Sequence, residues 1–260
     1  MNESLETAKP EGAMPFLDHV EELRRVALRC AGFLLCGIVI VGAFFPFFAD
    51  VLSWPLKRAM GGHPELMQGL VTTSPMGVFS VLLQVCFLGG LSISLPFMLY
   101  AMGRFVMPGL KRQERLVLIP LSAGIFSLFL IGALFSYFLI LPASLAFSIS
   151  LNQLFGFELI WSAPHYYGLV VWMTLGIGLC FEFPLIIIAL IYMRVLSVEK
   201  LRAIRRHMVV VILITAALIT PGGDPFTLSL LALPMYLLYE AAILIGQRIE
   251  AKHLRELDQA

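Results

Sequence analysis

Long apolar runs separated by short polar segments dominate the chain, and they predict helices that cross a bilayer. The first helical pattern begins after Pro15. Phe16, Val20, Leu23 and Ala27 form an apolar stripe at i, i+4, i+7 and i+11, with Asp18, Glu22, Arg25 and Arg29 opposite. It leads directly into a first span at residues 30–49. Residues 50–75 read as an exposed loop. A second span at 76–102 contains Gly89-Gly90 and Pro96, where a bend is expected. A third span covers 116–141, and residues 142–165, rich in Ser, Asn and aromatics, read as a second outer segment. The fourth span covers 166–193.

The last two spans, 208–220 and 226–245, are unusual. Apolar residues run for 13 positions before Pro221 and for 14, from Phe226, before Glu240. At 1.5 Å per residue each run reaches about 20 Å, two thirds of the hydrocarbon core. A locally thinned bilayer and a re-entrant hairpin both fit such lengths. The pattern therefore predicts an all-α, polytopic membrane protein. Residues 1–13 are a disordered cytoplasmic tail, 14–246 a membrane domain of six spans (or four plus a hairpin), and 247–260 a C-terminal tail.

Composition agrees with this reading: 59% of the 260 residues are hydrophobic, 13% are charged, and mean hydropathy is +0.90. The net charge of +1 carries no information, but its distribution does. With an inside N-terminus, sixteen of the 18 Lys and Arg residues fall on inner segments, leaving Lys57 and Arg58 outside. This asymmetry places both termini in the cytoplasm. Arg24-Arg25 before an apolar run imitates an export signal, but the run is too long and bulky for one and no small-x-small site follows.

The four cysteines lack Cys-x-x-Cys spacing and read as small core residues, and the five histidines form no ligand pair. No metal site or cofactor is expected. Phosphate-binding Gly-rich loops, Gly-x-Ser-x-Gly and His-Glu-x-x-His are all missing from the sequence. Span serines Ser92, Ser94, Ser127 and Ser136 have no histidine at membrane depth to activate them, so an enzyme is not expected.

Three acids carry the candidate chemistry. Glu182 lies deep inside the fourth span, where an acid must face protein, face a wet cavity or stay protonated. It reads either as a helix-packing hydrogen bond or as part of a polar recess. Glu22 precedes the first span, and Glu114 sits among Lys111, Arg112 and Arg115. Each reads either as a local partner (Glu22 for Arg25 at i, i+3; Glu114 for its basic neighbours or the helix dipole) or as an acceptor for a guanidinium ligand. A proton-coupled small-solute carrier would also bury a mid-span acid, although related halves are not evident.

Several segments, in order, resemble the TatC family, the multispan receptor subunit of twin-arginine protein translocases. They are residues 16–25 (Phe-Leu-Asp-His-Val-Glu-Glu-Leu-Arg-Arg), Thr73-Ser74-Pro75, Pro108-Gly109-Leu110 with Glu114-Arg115, Phe181-Glu182-Phe183-Pro184, Thr220-Pro221-Gly222-Gly223-Asp224-Pro225-Phe226, and residues 234–240. The resemblance implies a glove-like, concave set of six helices with the last two short. It also implies a non-enzymatic receptor in the inner membrane that binds the paired arginines of folded cargo's signal peptide. Single-span partners TatA and TatB and the proton-motive force are implied with it. By matching position, Glu22 and Glu114 would meet the signal, with Arg24 and Phe105 nearby. Glu182 would line the concave face, and Pro55 and Asp224 would lie on the outer side. The family pattern more often has Gln and Trp where Ala101 and Gly103 stand, and Gln where Leu228 stands.

Overall fold

The computed structural model describes residues 16–61, 70–106, 118–157, 160–220 and 224–258. Residues 1–15, the Pro108–Arg115 motifs and the Pro221–Gly223 segment lie outside them. Ten α-helices and one π-helical turn make up the described residues: α1 (Phe16–Ala43), α2 (Phe45–Ala59), α3 (Gly77–Val106), α4 (Leu118–Phe135), α5 (Leu141–Phe155), α6 (Ala163–Phe181), α7 (Phe183–Tyr192), α8 (Val198–Ala203), α9 (Arg205–Ile219) and α10 (Pro225–Asp258). Among the described residues, five stretches are long and apolar enough to cross a membrane: Glu21–Ala43, Gly77–Gly103, Gly124–Phe155, Ala163–Tyr192 and Pro225–Ala251. At 15 residues α9 reaches only about 22 Å. The protein is an all-α, multi-pass membrane protein.

α1 and α3 cross at very short range because the residues between them are small. A Cβ on Gly37 would lie 2.5 Å from the Gly90 carbonyl oxygen, and one on Gly90 would lie 2.6 Å from the Ile38 nitrogen. Ser94, buried there, donates to the carbonyls of Phe33 and Gly90, each at 2.7 Å. Small residues admit this approach, and van der Waals contact then holds it without help from the hydrophobic effect. Contacts pairing Cys30 with Met98, Phe33 with Ser94 and Gly37 with Gly90 fix an antiparallel register. A second close crossing joins α4 to α6, where Gly132 faces Phe181 and Gly178 faces the Phe129 ring.

Several boundaries differ from those the sequence pattern predicts. The third span continues to Phe155 instead of ending at 141, so much of the expected outer segment is helix. Pro142 does not stop it. A π turn, Ser136–Ile140, precedes the proline, with the Leu141 amide donating to Ser136 rather than one residue later. Gly156 ends the rod instead, in the left-handed conformation (φ 71°), with Phe157 N bonding the Asn152 carbonyl. The expected outer loop holds α2. The last helix does not end at 245: α10 runs 34 residues from Pro225 to Asp258 and takes in most of the expected C-terminal tail.

The segments that lead into α3 and α6 are joined by a pair of backbone bonds. Val71 donates to Trp161, and Ala163, at the start of α6, donates to Val71 (3.0 and 2.9 Å). The largest core cluster joins α2, α5, α6, α7, α9 and α10 around Tyr166, Met173, Ile177 and Tyr239.

Candidate functional site

Along α1 the charges near the first predicted span divide in a way the sequence pattern leaves open. Glu21, not Glu22, faces the arginines, at 3.5 Å from Arg24 and 3.5 Å from Arg25. Arg25 had two acids to choose from, and the i, i+4 spacing to Glu21 is the better aligned on a helix. Glu22 is therefore left with no cation among the described residues. It is half-buried, and its Oε2 is shielded from solvent without a hydrogen-bond donor. The expected pairing of Glu22 with Arg25 does not form.

The α1–α3 register carries Glu22 to the level of the last turn of α3, which ends at Val106. Phe105 thus sits on the helix end that arrives beside Glu22, although its side chain, like all of Glu114, lies outside the described residues. Arg24 is exposed, and among the described residues its one ion pair is with Glu21. A sheltered carboxylate with unused acceptor capacity is suited to receive a guanidinium fork. At Gly103 an added Cβ would meet nothing, so this end of α3 has open space.

Glu182 occupies the break between α6 and α7. Pro184 has no N–H for the helical ladder, so the chain turns there, with the Glu182 amide bonded to Leu179 and its carbonyl receiving Leu185 and Ile186. The side chain is 5% exposed, and its Oε1 has no partner among the described residues. Phe181, its neighbour, is buried against Gly132 and the Phe135 ring, so Glu182 lies where α6 meets α4.

The two residues assigned to the outer side have readable structural work. Pro55 lies inside α2 and is buried. Lacking an N–H, it leaves the Val51 carbonyl without its helical donor, and the Tyr137 hydroxyl supplies one at 2.5 Å. Tyr166 donates to the neighbouring Leu52 carbonyl at 2.7 Å. Asp224 is the N-cap of α10, accepting from the Thr227 amide at 2.7 Å and from its buried hydroxyl.

A further polar cluster escaped sequence reasoning. Glu240 accepts from Arg205 (2.8 Å) and from Tyr236 (3.0 Å), binding α9 to α10. Glu250 caps α8 by accepting from the Val198 amide at 2.8 Å. The Tyr236/Glu240 spacing of i, i+4 was the available signal. Two apolar grooves flank α9. One of about 430 Å³ lies against α10, around Val209, Leu213 and Leu233, and one of about 230 Å³ lies against the α6–α7 break, around Cys180 and Phe183. No cluster of metal-ligating side chains occurs among the described residues.

Comparisons with known proteins agree on one family. The family model described as Sec-independent protein translocase protein (TatC) matches residues 18–234. The chain is 31% identical to the Sec-independent protein translocase protein TatC of Koribacter versatilis, over 95% of this chain and 90% of that protein. It is 31% identical to that of Aquifex aeolicus, over 95% of this chain and 100% of the other. Among solved structures, the crystal structure of the twin arginine translocase receptor TatC in DDM superposes with a TM-score of 0.75. That match is at 32% identity and covers 88% of this chain and 99% of the other. On a family match that takes in both Glu22 and Glu182, and on full-length relatives of the same fold, the chain belongs to the TatC family of Sec-independent protein translocase proteins.

Proposed function

We propose that this translocase subunit is the receptor for signal peptides carrying paired arginines, which dock at the cytoplasmic end of α1 on Glu22 and Glu114. The observation that carries the reading is the half-buried Glu22, whose carboxylate no arginine of its own helix uses. Each charge-assisted bond to an incoming guanidinium contributes about 1.5–3 kcal/mol. Lysine in the signal binds less well because it cannot form the two parallel bonds. Arg24 and Phe105 flank the site. The docked signal's apolar segment then lies towards the α6–α7 break at Glu182, where partners assemble.

The chain works in a membrane complex without catalysing a covalent step. Its partners are the single-span subunits TatA and TatB, in the inner membrane, with both termini cytoplasmic and transport driven by the proton-motive force. The positive-inside asymmetry supports this orientation. The relatives are Sec-independent protein translocase proteins, and the superposed crystal structures are of the twin arginine translocase receptor TatC. Folded cargo is too large to pass through one such subunit, so recruited helices supply the route.

Photocrosslinking from position 114 in native membranes tests the site. A twin-arginine signal peptide should crosslink, and its two-lysine counterpart should not. Wild-type signal affinity in a Glu22→Gln, Glu114→Gln double variant would rule the docking site out.

A further inference from the structure

α2 divides cleanly into two faces. Phe48, Leu52, Leu56 and Met60 turn inward, packing in two clusters against Val41, Val81, Leu145 and Ile149 among others. The opposite stripe, at i, i+3, i+7 and i+10, is Phe44 (61% exposed), Phe47 (64%), Val51 (38%) and Trp54 (37%). Phe44 and Phe47 are left uncovered among the described residues, whereas Tyr137 and Phe138 partly cover Trp54. The stripe continues the exposed face of α1 (Leu35, Val39, Ile40), which lies in a stretch apolar enough to cross a membrane. At its far end Trp54 stacks on Tyr137 (5.5 Å between ring centres, 19° between planes) and meets Phe138 edge-on at 5.2 Å. Phe138 is itself exposed and belongs to the third apolar stretch, so the stripe joins the lipid-facing surface at both ends.

The charges on α2 separate in the same way. Lys57 is held by Asp50 at 2.9 Å. Asp50 keeps its charge at neutral pH, because the hydrogen bond from Lys57 and the charge of that lysine hold its carboxyl below the ordinary value. Arg58 follows Trp54 by one helical turn, is exposed, and has no anionic partner among the described residues. An apolar stripe that ends in an aromatic residue with a free cation one turn beyond has the layout of a membrane-surface helix.

We propose that α2 is a phospholipid-docking helix at the outer leaflet. Its Phe44–Phe47–Val51–Trp54 stripe lies against acyl chains, and Arg58 holds the headgroup phosphate. A planar guanidinium bonds two phosphate oxygens at once, which suits Arg58 to the role better than its paired neighbour Lys57. Because the tyrosine hydroxyls of Tyr137 and Tyr166 hold α2 by its carbonyls, a lipid seated there also braces the π turn between α4 and α5 and the first turn of α6.

Two measurements test this on the full chain. Trp161→Phe with Trp172→Phe leaves Trp54 as the sole tryptophan of the three. In vesicles of phosphatidylglycerol and phosphatidylethanolamine, lipid brominated at acyl carbons 6 and 7 should lower its emission at least twofold. Lipid brominated at carbons 11 and 12 should do less, and aqueous iodide little. Native mass spectrometry with phosphatidylglycerol needs no tryptophan replacement: Arg58→Gln should reduce retained lipid severalfold, Lys57→Gln should leave it nearly unchanged, and millimolar inorganic phosphate should not displace it. Trp54 quenched by iodide and not by bromolipid, as it would be on a face open to water or closed by protein, would overturn the proposal. Lipid retention that is the same in Arg58→Gln and wild type, or that free phosphate abolishes, would also overturn it.

Discussion

Tyr137 and Pro55 form a pair whose coupling can be worked out from backbone chemistry alone. A helical carbonyl normally accepts from the amide four residues on, and for Val51 that position is Pro55, which has no amide hydrogen. Tyr137 replaces the missing donor at 2.5 Å. Tyr137→Phe keeps the ring that stacks on Trp54 but takes from the Val51 carbonyl, on an exposed residue, its replacement donor. Losing one such bond costs about 0.5–1.5 kcal/mol. In a Pro55→Ala background the new alanine amide serves the same carbonyl, so the second Tyr137→Phe step should cost under about 0.5 kcal/mol, giving a coupling near 1 kcal/mol. In thermal unfolding of the detergent-solubilised protein, Tyr137→Phe should lower the apparent Tm by about 2–4 °C per kcal/mol alone and by much less beside Pro55→Ala. Equal losses in the two backgrounds would refute the argument.

Other substitutions follow from the same geometry. Glu22→Gln should weaken binding of a twin-arginine signal peptide by about ten- to a hundredfold, from the loss of one charge-assisted bond, while Glu21→Gln should not weaken it; calorimetric titration distinguishes them. Gly90→Ala should destabilise the α1–α3 crossing by about 1–3 kcal/mol, because its Cβ meets backbone at 2.6 Å that cannot rotate away. Gly32→Ala, whose Cβ meets nothing within 4 Å, is the matching control in the same melting assay. Asp224→Ala should cost about 1–3 kcal/mol by removing the cap and stranding the buried Thr227 hydroxyl, and Asp224→Asn should cost less because one acceptor oxygen remains.

Apolar runs were legible because a membrane helix must satisfy its backbone within itself, so length and hydropathy report it directly. Glu182 was legible for the same reason: a mid-span acid is expensive enough to stand out. What stayed hidden depended on partners far along the chain. Pro142 looks like a helix end until the wide turn at Ser136–Ile140 steps around it. Glu240 reads only as the end of the apolar run from Phe226, because its partner Arg205 lies 35 positions away in sequence. Pro55 reads as a loop residue because its lost hydrogen bond is made good by a tyrosine 82 positions on. The division of labour between Glu21 and Glu22 lies between these cases. Spacing favours Glu21 for Arg25, but only the side-chain geometry shows Glu22 left over.

The cap that Glu250 places on α8 makes the last helix a measuring rod rather than a loose end. Adding one residue to α10 between Ile245 and Glu250 turns everything after it by about 100° and advances it by about 1.5 Å. The carboxylate would swing away from the Val198 amide it now serves at 2.8 Å, and α8 would lose its only side-chain cap among the described residues. Lengthening the same helix beyond Asp258 changes neither phase nor reach at Glu250. Fusions to the C-terminus should therefore be silent where single-residue insertions twelve positions upstream are not.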